Sequence, residues 1–197
     1  MKFDIVLAGV GGQGVLSLSG IIAAGALETG LFVKQSEVHG MAQRGGAVTA
    51  HLRLGDHPVE SDLVPLGAAS MILSLEPLES LRYLEFLNPR GSVVTAIQPV
   101  KNIPDYPAID EVLDAVRALP SAVLVDATAI AKRVGLAQAT NMVMAGAASP
   151  MLPVPAETIE ASIRKRFAKK GQSVVDVNLA AFRAGREVSA HADPTAR

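Results

Sequence analysis

A chain of 197 residues, 49% of them hydrophobic, has apolar material for one sizeable core and too little length for two, so a single domain with elaborations is expected. Its net charge is −1, with 18 Lys and Arg mostly interspersed among acids, which leaves no footprint for a nucleic-acid backbone. It has no cysteine, which excludes disulfides, thiolate chemistry, cysteine-ligated zinc and cysteine-held iron–sulfur clusters on this chain.

The apolar run Asp4-Ile5-Val6-Leu7-Ala8 reads as a strand and leads into Gly9-Val10-Gly11-Gly12-Gln13-Gly14. Glycines at a strand-to-helix turn permit positive φ and let backbone N–H groups approach an anion at a helix N-terminus. The same glycines also serve packing alone, so a structural role stands beside the ligand role. Val15 to Leu27 is helical in pattern, closed by Gly30, and its small residues suggest close approach to a sheet. Leu31 to Ser36 reads as a second strand, giving a βαβ unit expected to be parallel and right-handed.

Glu37 to Gly46 is polar and glycine-rich without an apolar stripe, and is expected to form a long loop. Val48, Ala50, Leu52 and Leu54 alternate with Thr49, His51 and Arg53, the pattern of a half-buried strand with His51 on its exposed side. Gly55-Asp56 would turn it toward a short strand around Val59, making an antiparallel insertion. Regular alternation resumes with a strand at Met71–Leu75 and a helix opened by Glu76-Pro77 through Phe86, closed by Asn88-Pro89-Arg90-Gly91. Ser92–Ile97 and Ala122–Val125 read as strands, and Asp110–Leu119 and Ala127–Val134 as helices. The stretch from Asn141 to Gly185 is helical with a break at Pro150–Pro155. The basic run Arg164-Lys165-Arg166, with Lys169-Lys170, reads as a solvated helix face that leaves room for an acidic partner. The fold class is α/β, a Rossmann-like mostly parallel sheet flanked by helices, with a small antiparallel insertion and a helical C-terminal part. The chain enters its first strand by Phe3 without a basic leader and has no apolar run of bilayer length, so a cytoplasmic protein is expected.

A dinucleotide site would need an acid at the end of the second strand, where Glu37 is the only candidate. Neither Tyr83 nor Tyr106 has a lysine four residues on, against short-chain dehydrogenases, and Gly14 is followed by Val15-Leu16 rather than the Lys-Ser/Thr of a P-loop. The four histidines, His39, His51, His57 and His191, lack metal-ligand spacing, so no metal is expected. His39 shares the second glycine-rich segment with Gln43 and Arg44, donors suited to a phosphate or carboxylate, or to packing on a partner chain.

With Gly9-Val10-Gly11-Gly12-Gln13-Gly14 and Ser36-Glu37-Val38-His39-Gly40-Met41-Ala42-Gln43-Arg44-Gly45-Gly46 together, the chain resembles the gamma-type domain of 2-oxoacid:ferredoxin oxidoreductases. Within that family it is most similar to the indolepyruvate-type beta subunit, over residues 1–186, with 187–197 as a tail. The resemblance implies a subunit inactive alone, in a thiamine diphosphate enzyme that converts an aryl pyruvate and coenzyme A to aryl-acetyl-CoA, CO2 and reduced ferredoxin. Gly55-Asp56-His57 fails the Gly-Asp-Gly pattern of thiamine diphosphate proteins. Thiamine diphosphate, Mg and iron–sulfur clusters are therefore expected on a large partner subunit, with ferredoxin as electron acceptor. By the same resemblance, Gly9, Gly11, Gly12, Gln13, Gly14, His39, Gln43 and Arg44 would line the coenzyme A site or the partner interface, in binding roles; no residue reads as a catalytic acid or base. The alternative is a free-standing nucleotide- or NAD(P)-binding Rossmann protein.

Overall fold

In a computed structural model describing residues 1–39 and 45–190, the opening apolar run becomes strand β1 (Lys2–Val10) near the middle of a six-stranded sheet. Ile5, Val6, Leu7 and Ala8 are all fully buried, because helices cover both faces and alternation disappears. The other strands are β2 (Phe32–His39), β3 (Ala47–Gly55), β4 (Ala69–Ser74), β5 (Leu87–Ala96) and β6 (Ala122–Val125), in the order β2-β3-β1-β4-β5-β6. Strands β4, β5 and β6 continue parallel from β1, while β3 is antiparallel to both its neighbours.

Helices α1 (Val15–Glu28), α4 (Ala127–Arg133), α5 (Thr140–Ala148), α6 (Ala156–Phe167) and α7 (Gln172–Ala190) contribute to one core, with Ile5, Leu7, Leu52, Leu73 and Val94 as the sheet's share. On the opposite face Val6, Ile72 and Val93 meet α3 (Ile109–Arg117) through Val116 and α2 (Pro77–Arg82) through Leu81. Helix ends follow local chemistry. Gly30, at φ 81°, closes α1 with Leu31 N–H donating to Ala26 O at 3.1 Å. The Glu76 carboxylate caps α2 by accepting from Glu79 N–H at 2.8 Å, with Pro77 in the first turn. Asp126 caps α4 through Ala129 N–H at 2.9 Å.

Helices α5 and α7 touch backbone to backbone. A Cβ on Gly146 would lie 1.8 Å from Phe182 O, and one on Gly185 would lie 1.9 Å from Val143 O. Of the glycines in α1, Gly25 lies against Val154 and Ile159 at the start of α6, whereas Gly20 has open space beside it. The basic run emerges exposed on α6, where Arg164 pairs with Glu160 at 2.9 Å.

Five sequence expectations are corrected. Residues Glu37 to His39 are strand, not loop, because each finds a partner on β3. Strands β1 and β2 run in the same direction but are not neighbours, since β3 is inserted between them. No strand forms around Val59, and Asn88 to Gly91 belong to the first half of β5 rather than to a loop. His51 is buried, at 8% exposure, because β3 is an interior strand whose far face is covered by residues 61–64 and Phe86.

Candidate functional site

The C-terminal ends of the parallel strands carry the site. Helix α1 leaves β1 toward one face while α2 leaves β4 toward the other, so β1 and β4 flank a topological switch point, where open α/β sheets place their ligand crevice. Here the crevice is clamped by Gln13. Its Oε1 accepts from Val10 N–H at 2.7 Å and its Nε2 donates to Leu75 O at 2.9 Å, joining the ends of both strands. Gly9 fits beneath it because a Cβ would meet Gln13 Oε1 and Val15 Cγ2, each at 2.9 Å.

The glycine turn is partly spent on its own chain. Gly11 N–H donates to Gly46 O at 2.8 Å, Gly45 N–H donates back to Gly11 O at 3.4 Å, and Gln13 N–H donates to Val10 O at 3.1 Å. Gly12 and Gly14 take φ of 102° and 88°, which side-chain-bearing residues rarely adopt. The first bond of α1 runs from Leu18 N–H to Gly14 O, so the amides of Val15, Leu16 and Ser17 have no acceptor within the helix. The turn therefore offers an anion the N-terminus of α1, beside the Asn141 amide of α5, which lies 2.7 Å from where a Gly14 Cβ would stand.

Beside the clamp lies a polar cluster that the sequence pattern did not single out. Glu76, 1% exposed, accepts from Val100 N–H at 3.3 Å and from the Tyr106 hydroxyl. Burial, then the bond to Glu76, raises the Tyr106 pKa well above the ordinary range and keeps the phenol protonated. Glu79 sits behind it with its pKa raised by burial, partly offset by Arg82. Residues 98–106 are thereby held down, and Asn102 Nδ2 donates to Gly45 O at 2.8 Å, linking this cluster to the glycine turn. The available signal was position: Glu76 lies two residues past the end of β4, a buried parallel strand.

The structure brings Gly9, Gly11, Gly12, Gln13 and Gly14 together. It places His39 at the end of β2, in register with Val48. Gln43 and Arg44 lie outside the described residues, but the ends of their segment, His39 and Gly45, are both at the sheet end that carries the glycine turn. Glu37 is exposed on β2 and in register with Ala50, which is in register with Leu7. It is thus two strand spacings, about 9.6 Å, from β1, away from the position of a ribose-binding acid next to the glycine turn.

The chain has no cysteine to hold a cluster. Asp56 of the Gly55-Asp56-His57 segment is bound to the N-terminal ammonium, which lowers its pKa. Among the described residues no group of His, Asp and Glu could hold a metal ion. Surface clefts of about 250 Å³, beside Phe3, Asn88 and Arg90, and about 360 Å³, between α1 and α6, lie away from the turn. Among the described residues no helix is long and apolar enough to cross a membrane.

Residues 4–188 match the family described as pyruvate ferredoxin/flavodoxin oxidoreductase. The indolepyruvate oxidoreductase subunit IorB of Archaeoglobus fulgidus is 40% identical over 207 residues, covering 100% of both chains. Pyruvate oxidoreductase subunit PORC of Thermotoga maritima superposes with a TM-score of 0.71 at 29% identity, over 94% of this chain and 96% of that one. A 2-oxoglutarate:ferredoxin oxidoreductase from Magnetococcus marinus, solved with 2-oxoglutarate, coenzyme A and succinyl-CoA bound, shares the fold with a TM-score of 0.77 at 21% identity. In that case 96% of this chain matches 31% of a longer one.

Proposed function

Because the chain belongs to the pyruvate ferredoxin/flavodoxin oxidoreductase family, we propose that it is the small subunit of a 2-oxoacid:ferredoxin oxidoreductase acting on an aryl pyruvate, indolepyruvate in the first instance. The observation that carries this reading is the 40% identity with an indolepyruvate oxidoreductase subunit across the full length of both chains. The reaction is oxidative decarboxylation: the bond to the carboxylate breaks, CO2 leaves, the acyl group passes to the thiol of coenzyme A, and the electrons released reduce ferredoxin. In this reading thiamine diphosphate, Mg and iron–sulfur clusters belong to a larger partner subunit, which the lack of cysteine on this chain supports, and the complex works in the cytoplasm.

This chain's own contribution is binding and positioning, since the carbanion chemistry is the cofactor's. The clamp of Gln13 on β1 and β4 and the hold of Glu76 on residues 98–106 keep the glycine turn in one conformation. Gly9, Gly11, Gly12, Gln13 and Gly14 then form a platform, and His39, Gln43 and Arg44 supply the donors that meet coenzyme A or the partner's site.

Co-expression with the large subunit tests this. Coenzyme A-dependent reduction of ferredoxin or a viologen dye, faster with indolepyruvate than with pyruvate and present only when both chains are, is the expected result. Activity indifferent to this chain would overturn the subunit role, and a preference for pyruvate would overturn the substrate.

A further inference from the structure

Strand β2 ends the sheet, and among the described residues no strand pairs with its outer side. Natural proteins blunt such edges with prolines, bulges, charged side chains or very short strands, and of these β2 carries only the exposed charges of Lys34 and Glu37. β2 has eight residues in unbroken register with β3, from Phe32 opposite Gly55 to His39 opposite Val48, and contains no proline. Its side chains on the face away from α1 are Phe32, Lys34, Ser36 and Val38, which share that face with Arg53, His51 and Thr49 of β3. There β3 is closed over: Val64 N–H binds His51, Phe86 packs edge-on against it, and Tyr83 meets Thr49. The cover stops at β3. Phe32 and Val38 stand 45% and 61% exposed.

We infer that β2 pairs antiparallel with β2 of a second copy of this chain, in the register that sets Gln35 opposite Gln35. Residues directly opposite in an antiparallel pair point to the same face. With the two-fold axis at Gln35, each exposed Phe32 lies opposite an exposed Val38, each Lys34 opposite Ser36 and each Glu37 opposite Val33. No like charges stand directly opposite, and the exposed apolar residues of one copy cover those of the other at both ends of the pair. Moving the axis to Lys34 sets two ammonium groups opposite each other. Moving it to Ser36 sets Lys34 against Val38 and carries Phe32 beyond the partner's β2. The self-complementarity of one register is what selects a second copy as the occupant, joining two six-stranded sheets edge to edge.

A single strand pair buries less than the roughly 1,200–2,000 Å² of a stable free interface. The pairing is therefore concentration-dependent in the isolated chain and reinforced wherever a larger assembly holds two copies close together. It goes beyond the proposed activity and does not depend on the substrate.

Because this chain has no native cysteine, an introduced one is its only thiol. Gln35→Cys, in the full chain at high concentration and in the co-purified complex, is treated with diamide and read on a non-reducing gel for a doubling of the 20.5 kDa mass. Asp114→Cys, exposed on α3, is the control for random collision. The expected result is linkage of Gln35→Cys well above the control, reduced about tenfold by adding Val38→Lys, which sets an ammonium against Phe32. Linkage no greater than the control in both settings overturns the pairing, and linkage untouched by Val38→Lys overturns the register. A band at the summed mass of this chain and the larger subunit would assign the edge to that subunit and overturn the self-pairing.

Discussion

Gln13 and Leu75 are joined across the switch point of the sheet: the Gln13 side-chain amide donates to Leu75 O at 2.9 Å while its oxygen accepts from Val10 N–H at 2.7 Å. One side chain thus satisfies both strand ends in the place where a ligand crevice would otherwise open. The glutamine of the glycine turn is in this geometry a part of the frame, and any ligand must be met from the helix end of the turn.

Gln13→Ala leaves a donor on β1 and an acceptor on β4 without partners. A cost of about 2 kcal/mol is expected, from the loss of bonds to partly buried backbone groups. Gln13→Glu keeps the acceptor for Val10 N–H but aims a carboxylate at Leu75 O, and is expected to cost at least as much. Urea denaturation of the three proteins checks the order.

The contact of Gly146 and Gly185 across α5 and α7 predicts a sharper loss. Placing a methyl 1.8 Å from Phe182 O or 1.9 Å from Val143 O forces the helices apart, so Gly146→Ala and Gly185→Ala are each expected to destabilise by about 3 kcal/mol. Gly20→Ala in α1 meets nothing within 4 Å and is expected to stabilise by about 0.5–1 kcal/mol through helix propensity. Thermal melts should therefore separate these glycine substitutions in opposite directions.

Much of this frame was legible from the sequence where local chemistry decides it. The strand through Ile5 to Ala8, the glycine end of α1 and the Glu76-Pro77 start of α2 follow from neighbours in the chain. The position of β3 between β1 and β2 was not legible, because strand order is settled by distant pairing. For the same reason His51 looked exposed: its cover arrives from Val64 and Phe86. The glycine turn was visible at once, but not that Gly46 O takes the amide of Gly11, nor that Glu76 and Tyr106 form a cluster beside it.

His51 gives the fold a pH dependence on the acid side. Burial first, with Arg53 adding and Asp62 and Asp4 opposing, lowers its pKa from 6.5, and its Nδ1 must stay unprotonated to accept from Val64 N–H at 3.0 Å. As pH falls below 6.5 the unfolded chain takes up the proton before the folded one does, so stability falls until the folded pKa is passed. His51→Gln, whose amide oxygen can accept from Val64, is expected to flatten this slope while leaving stability at pH ~8 within about 1 kcal/mol of the parent. Denaturation midpoints across the acid range check it. Asp56 and Glu160, whose pKa values are lowered from the carboxylate values of 3.8 and 4.5, titrate in a lower window.

Tyr106 should resist ionisation. Its burial and its bond to Glu76 raise its pKa, so the phenolate absorbance of Tyr106, isolated as the difference between parent and Tyr106→Phe, is expected only at pH above the ordinary tyrosine range or on unfolding. A Tyr106 transition near the value of a free tyrosine, 10.0, would show that the cluster is open to solvent. Tyr106→Phe also removes one anchor of residues 98–106 and is expected to cost about 1–2 kcal/mol.

Arg44 separates the two roles proposed for the second glycine-rich segment. A guanidinium bonded to a phosphate or carboxylate of coenzyme A is worth about 1.5–3 kcal/mol, which is roughly tenfold to a hundredfold in affinity. If it grips coenzyme A as strongly before as in the transition state, Arg44→Ala in the co-purified complex raises KM for coenzyme A by that factor and leaves kcat near the parent. Arg44→Lys would recover part of the loss, keeping the charge without the bidentate fork. His39→Ala and Gln43→Ala, as single neutral donors, are each expected to raise the same KM by less than tenfold. If instead the segment packs on the larger subunit, Arg44→Ala lowers the yield of co-purified partner while KM for coenzyme A in the surviving complex stays unchanged. Co-purification and KM measured on one preparation therefore distinguish a residue that holds the co-substrate from one that holds the assembly.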